Sequence, residues 1–249
     1  MAKKTEQMAD PTFDRIYADA DGPPAPFEFD QDVASVFPNM IERSVPGYLA
    51  SLELISLAAA QFGQPNTAFY DLGCSRGAAT LAMLKHRPEQ VVIHGVDQSE
   101  AMIAIARSEL HGWIARGEVE LHVADILDFP VTRASIVVMN YTLQFIAMPK
   151  RRALLTRLFE AMVPGGALIL SEKVLDEPAA QAVLEDLHRS FKRARGYSDL
   201  EIAQKREALL DVLIPESAGD HIQRLSDIGF NAMLLAKNIN FCTFLAVKP

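Results

Sequence analysis

At 249 residues, 49% apolar and 22% charged, the chain suits one α/β domain with additions and carries enough apolar material to bury a full core. A net charge of −8 argues against the basic face that nucleic acids require, so no direct nucleic-acid binding is expected. No apolar run reaches the ~18–20 residues that span a bilayer. The N-terminus lacks the apolar stretch of a secretory signal, and Cys74 and Cys242 form neither a disulfide framework nor a metal-spaced cluster, so a reduced, cytoplasmic setting without membrane contact is expected.

Residues 1–26 mix charge with Pro23-Pro24 and Pro26 without periodicity and read as a flexible tail, leaving 27–249 as a single α/β domain. From Phe27 the pattern tightens. Val33, Val36, Phe37, Met40 and Ile41 recur at helical spacing, with Asp30 or Asp32 placed to cap the start. Ser44-Val45-Pro46-Gly47-Tyr48 interrupts, and a second helix carries Leu49, Leu52, Leu54, Ile55, Leu57 and Ala58 before stopping near Gly63 and Pro65. These two helices, within 27–65, predict an N-terminal cap over the strand ends.

Strand and helix then alternate. The pattern predicts strands at Ala68–Leu72, Val91–Val96, Val119–Ala124, Ala134–Asn140 and Ala167–Ser171. Helices are expected at Gly77–His86, after Ser99, and at Lys150–Met162, the last stopped by Pro164-Gly165-Gly166. Such a rhythm implies a mostly parallel sheet with helices on both faces and ligands at the carboxyl ends of the strands. Residues 175–213 leave it as two polar helices, about Glu177–Arg195 and Ser198–Leu213, an insertion that covers the site or meets a partner. One more helix, Asp220–Asp227, precedes a closing antiparallel pair, Phe230–Ala236 and Phe241–Val247, which completes a seven-stranded sheet.

The chemistry centres on Phe69-Tyr70-Asp71-Leu72-Gly73-Cys74-Ser75-Arg76-Gly77, an apolar strand turning sharply into a helix. The glycines let the turn approach a ligand, and the helix start offers free N–H groups to a polar ligand end. Asp97 closes the second strand roughly 20–25 residues later, where a nucleotide-binding βαβ unit holds a ribose. Asp125 closes the third, placed to accept from an adenine amino group while Ile126 lies against the ring. Each acid alone also suits a helix cap or turn. Asn140 closes the fourth strand, but Asn140-Tyr141-Thr142-Leu143 lacks the prolines of base-amine methylating enzymes. His86, His94, His111, His122, His188 and His221 show no metal-ligand spacing, and no metal is expected.

This loop departs from Gly-x-Gly-x-x-Gly and resembles the S-adenosylmethionine site of class I methyltransferases, a Rossmann-like fold. Within that superfamily four stretches resemble carboxy-S-adenosyl-L-methionine synthases: Val36–Tyr48, Asn140–Phe145, Leu170–Lys173 and Phe191–Arg206. The likeness runs from about Phe27 to the C-terminus. It implies an enzyme that carboxylates the methyl group of S-adenosyl-L-methionine with prephenate, releasing phenylpyruvate and water. The product, carboxy-S-adenosyl-L-methionine, is then the donor another enzyme uses on transfer-RNA wobble uridines. The resemblance carries Tyr48, Gly73, Cys74, Ser75, Asp97, Gln98, Asp125, Ile126, Asn140 and Arg206 onto the ligand site. It implies no protein base, because the hydroxide leaving prephenate takes the methyl proton, and it implies a homodimer. Arg206 is the candidate for the transferred carboxylate, in its own subunit's site or a partner's. An ordinary methyltransferase acting on a small molecule or RNA, or a non-catalytic S-adenosylmethionine-binding protein, would keep the same glycines and acids.

Overall fold

Segments too apolar to face water on either side form strands only in a sheet covered twice. The computed structural model, which describes residues 12–18 and 22–249, contains such a sheet. Strands β1 (Ala68–Leu72), β2 (Val92–Asp97), β3 (Val119–Val123), β4 (Ala134–Asn140) and β5 (Met162–Leu175) run parallel. β7 (Asn231–Asn238) and β8 (Phe241–Val247) are antiparallel, giving the order β3-β2-β1-β4-β5-β8-β7. This is the expected seven-stranded, mostly parallel sheet. A two-residue β6 (Glu216–Ser217) pairs with the far end of β5, off that path.

Alternation along each strand divides the core in two. Tyr70, Leu72, Val137, Met139, Leu168 and Leu170 face α6 (Met148–Ala161) and α9 (Ala218–Ile228) through Leu154, Leu155, Leu158 and Leu225. Phe69, Ile93, Ile136, Val138 and Ile169 pack instead with α2 (Tyr48–Phe62) and α3 (Ala78–Leu84). α4 (Glu100–Glu109) and the short α5 (His111–Ala115) lead from β2 to β3. α1 (Gln31–Ser44) lies over α4, and its N-cap is Asp30, which accepts from Val33 N at 2.9 Å. The insertion consists of α7 (Pro178–Ala194) and α8 (Asp199–Ala208).

The largest departures from expectation lie at two boundaries. β5 starts at Met162 rather than Ala167, because Pro164-Gly165-Gly166 forms an irregular strand start, paired through Gly165 N to Lys248 O at 2.8 Å and Lys248 N to Gly166 O at 2.9 Å. α8 ends at Ala208 instead of continuing to Leu213, and the chain is drawn back to the core where Ile214 N donates to Gln144 O at 2.9 Å.

The flexible-tail expectation needs correction at residues 12–18; residues 1–11 and 19–21 lie outside the described residues. Asp14 is only 1% exposed. Its carboxylate accepts from the Tyr197 hydroxyl and faces Lys205 Nζ at 3.6 Å, while its amide donates to Asn39 Oδ1 at 3.0 Å. Arg43 donates to Asp14 O and lies over the rings of Phe13 and Tyr197 at 4.1 and 3.8 Å. Buried cations require a carboxylate, and this segment supplies it. Among the described residues no single helix is long and apolar enough to cross a membrane.

The return from the insertion is anchored by Arg151, which is fully buried. It donates to Ile146 O at 2.8 Å, Gln144 O at 3.2 Å and Ile214 O at 2.7 Å, and pairs with Glu216 at 2.5 Å. Arg151→Met should therefore cost about 3–5 kcal/mol, since it takes the donor from the carbonyls of Ile146 and Ile214 and removes the buried cation that pairs with one oxygen of Glu216. Urea unfolding should show a lower midpoint at unchanged slope; an unmoved midpoint would refute the assignment.

Candidate functional site

The carboxyl ends of β1, β2, β4 and β5 open into one cavity of about 530 Å³, roofed by α1, the start of α2, α7 and α8. Every residue that the resemblance carries onto the ligand site lines it: Tyr48, Gly73, Cys74, Ser75, Asp97, Gln98, Asp125, Ile126, Asn140 and Arg206.

The floor is a turn fixed by backbone contacts. Gly73 sits at φ +81°, and a Cβ there would lie 2.4 Å from the Thr142 side chain. Only glycine serves at such a position. Gly73 N and Cys74 N both donate to Val96 O, at 2.8 and 3.0 Å, tying the turn to β2. Ser75 N and Ser99 N each donate to one Asp97 oxygen at 2.9 Å. These two amides hold the carboxylate facing the cavity and oppose the upward push that burial gives its pKa. Asp125 is exposed at the rim, with one oxygen accepting from Leu127 N, and Ile126 beside it is buried. Tyr48 and Tyr141 pack together with Phe241 at the opposite wall. Burial pushes the Cys74 thiol well up, which leaves it unreactive.

Among the described residues, two buried oxygens at the cavity have no hydrogen-bond partner: Asp71 Oδ1 and Asn140 Oδ1. The other Asp71 oxygen accepts from the Thr80 hydroxyl at 2.7 Å, and burial pushes the carboxyl up to about 6. A ligand ammonium satisfies such orphaned acceptors. The glycine turn, the ribose-type acid on β2 and these free acceptors fit the amino-acid and nucleoside ends of S-adenosyl-L-methionine.

The roof has the opposite sign. Lys173 at the end of β5, Lys192 on α7, and Lys205 and Arg206 on α8 all line the cavity. Burial lowers the pKa of Lys173, brings Lys205 down to about 8 and Lys192 to about 7, and for Lys192 the charges of Lys205, Lys173 and Arg206 lower it further. Lys205 has Asp14 and the Ser44 hydroxyl as partners. Arg206, 65% exposed, stands at the rim 3.7 Å from Glu185. His188, which bonds Ser44 O through Nε2 at 2.8 Å, is pulled down to about 3 by burial and the neighbouring lysines, so it stays neutral.

Sequence reading missed Asp71 and the three lysines. Asp71 reads as the acid that opens the Asp-x-Gly-x-x-x-Gly turn, with no ligand role of its own. Lys192 and Lys205 read as a solvated helix face, although their closeness within Phe191–Arg206 was a signal, and Lys173 reads as one charge just past a strand.

A methyltransferase-domain family model matches residues 69–166, the span from β1 to the glycines of β5. The solved structure of an O-methyltransferase family protein from Burkholderia thailandensis superposes with a TM-score of 0.60 at 18% identity, over 88% of this chain and 60% of that one. Human N-acetylserotonin methyltransferase in complex with SAM superposes at 0.57 and 17%, over 88% and 55%. Those likenesses establish the fold. The carboxy-S-adenosyl-L-methionine synthase of Hahella chejuensis is 48% identical over 243 residues, covering 94% of this chain and 98% of its own. That of Pseudomonas syringae pv. syringae is 47% identical over the same shares. With sequence likeness of that extent on a methyltransferase fold, the chain belongs to the carboxy-S-adenosyl-L-methionine synthase family of transferases.

Proposed function

We propose that the chain transfers a carboxyl group from prephenate to the methyl of S-adenosyl-L-methionine, giving carboxy-S-adenosyl-L-methionine, phenylpyruvate and water, and so supplies the donor for wobble-uridine modification of transfer RNA. The observation that carries this reading is the cluster Lys173, Lys192, Lys205 and Arg206 over a floor lined by Asp71, Asp97 and Asp125. Methyl transfer to a neutral nucleophile has no use for four cations in the acceptor pocket. A dicarboxylate donor and a carboxylated product do.

In this reading Asp97 and Gln98 hold the ribose, Asp125 and Ile126 the adenine, and Asp71 and Asn140 the ammonium end. The Gly73-Cys74-Ser75 turn and Tyr48 shape the pocket beside it. The lysines hold prephenate, whose aromatisation frees its ring carboxylate as CO₂ and expels hydroxide; the hydroxide takes a proton from the methyl, giving water, and the ylide so formed captures the CO₂. Arg206 receives the transferred carboxylate, a guanidinium being able to grip it bidentately. The protein thus supplies position, exclusion of water and charge complementarity rather than a base. Val183, Leu187, Leu200 and Leu210, exposed on and just after the roof helices, suit a homodimer contact that places Arg206 beside its own site or the partner's.

Incubation with S-adenosyl-L-methionine, with and without prephenate, tests the whole. The adenosyl ligand should gain one carboxylate by mass spectrometry only when prephenate is present, and without added RNA. S-adenosylhomocysteine formed on another acceptor, or strict dependence on RNA, would select an ordinary methyltransferase.

Three variants test the parts. Asp97→Ala should weaken adenosyl-ligand binding by roughly 1.5–3 kcal/mol in calorimetry, the scale of a lost charged acceptor. Unchanged affinity would remove Asp97 from the ribose.

Arg206→Ala should cost the carboxylated ligand on the order of 2–4 kcal/mol, the range for a charge-assisted contact losing one partner. S-adenosyl-L-methionine, ending in a methyl at that point, should lose less than about 1 kcal/mol. Equal losses would mark the arginine as structural.

The third concerns pH. Lys192 has a folded pKa near 7, below its unfolded value of about 10.5, and an anion favours its charged form. Prephenate binding should therefore take up a proton and strengthen as pH falls from about 9 to 7, levelling off below. Lys192→Met should flatten that slope; a slope that survives would clear Lys192 of the role.

A further inference from the structure

Outside the cavity, the sheet edge carries a second constellation. β3 is the edge strand, and the two-residue period of a strand puts Glu120 and His122 on one face. The parallel register sets Glu120 opposite His94 of β2. His94 Nδ1 lies 3.2 Å from His122 Nε2 and 3.4 Å from Glu120 Oε2, and His122 Nε2 lies 3.8 Å from the same oxygen. The absence of metal-ligand spacing among the histidines is thus true along the chain and wrong across the sheet. Strand pairing, which the linear pattern does not display, brings the donors together.

We propose that His94, Glu120 and His122 form a three-ligand site for a divalent first-row transition metal, with Zn²⁺ the ion of choice. Two imidazoles and one carboxylate are the donor set of many open zinc sites, and the separations suit it. A tetrahedral ion with bonds of about 2.0–2.1 Å has ligand atoms about 3.3–3.4 Å apart. The measured triangle lies close to that, and its centre is about 2.0 Å from all three atoms.

The imidazoles are also held for the purpose. The His94 ring stacks on Tyr70 at 5.0 Å with 22° between planes, and the Tyr70 hydroxyl is itself fixed between Thr132 O and Thr132 N. The His122 ring packs on Phe129 at 4.8 Å. Glu120 is 56% exposed, which gives an ion a path in and leaves a coordination position to water.

The ion would act as a clip. It would pin the edge strand to its neighbour just short of Asp97 and Asp125, the two acids that close β2 and β3 at the cavity. An edge strand left unclipped is the part of a sheet most ready to open.

The test uses the full chain, stripped of metal with a chelator and titrated with Zn²⁺ in a calorimeter. A parallel sample takes Co²⁺, whose visible absorption reports a nitrogen- and oxygen-ligated site of low symmetry. One ion per chain should bind, and the thermal midpoint should rise with Zn²⁺ concentration. His94→Ala and His122→Ala should each weaken binding by more than the roughly 10–100-fold that loss of an outer-shell partner costs. Both should remain folded by circular dichroism without metal, since each residue is partly exposed, and exposed His111→Ala should bind as the parent does. Absence of stoichiometric binding would leave His94 and His122 as a hydrogen-bonded pair and overturn the proposal. So would binding unchanged in the His94→Ala, His122→Ala double variant.

Discussion

The roof can stand over the sheet because a buried carboxylate fixes the loop between them. Glu172, fully buried on β5, accepts from Leu143 N at 2.8 Å and Gln144 N at 2.9 Å. That pair of bonds pins the exit of β4, which carries Asn140, Tyr141 and Thr142 along the cavity floor. Gln144 then passes the constraint outward. Its side-chain oxygen accepts from Lys173 N at 3.0 Å, and its carbonyl accepts from Ile214 N, where the chain returns from the roof helices. Arg151, Glu216 and Arg224 continue the network with alternating charge. Burial pushes the Glu172 carboxyl up to about 8 even though two amides and Arg151 work against it. A carboxylate so placed is costly unless every partner stays in place, which makes the joint rigid as well as strong.

That rigidity offsets a strain on the other side of the cavity. Lys192 is surrounded by like charge, and each of the charged neighbours acting on it disfavours its ionised form. Lys205 would be in the same position without Asp14, and Asp14 is held in turn by Tyr197, Arg43 and Asn39. The N-terminal segment therefore works as a counter-charge for Lys205, as Glu185 does for Arg206 and Lys173, while Lys192 meets only like charge. Concentrated, partly unneutralised charge of this kind is the common signature of a site that trades stability for binding.

The legible parts of this protein were those whose meaning is local. A strand ending in glycines, then an acid at the end of each of the next two strands, is a pattern within a few residues of itself, and Gly73, Asp97 and Asp125 all fall on one rim as that pattern requires. Alternation of apolar segments likewise gave the sheet. What stayed hidden depends on contacts between distant segments. Asp14 looks like one charge in a charged tail until Arg43, Tyr197 and Lys205 surround it. Lys173, Lys192 and Lys205 look solvated until β5, α7 and α8 turn them toward one space. Pro164-Gly165-Gly166 reads as a stop until the last residues of the chain pair with it.

These contrasts also locate where a methyltransferase fold was adapted. The acids and glycines proposed to receive the adenosyl ligand lie at the ends of β1 to β4, inside the span that matches the methyltransferase-domain family. The cations lie outside it, at the end of β5 and on the inserted helices. In the proposed function, binding the nucleoside and choosing the reaction thus fall to different parts of the chain. The floor can stay as it is in enzymes that transfer a methyl group, because the sulfonium and its methyl are the same in both cases. Only the charge facing that methyl has to change, and a roof carried on two helices, joined to the sheet through Gln144 and Arg151, is the part in which that change disturbs the core least.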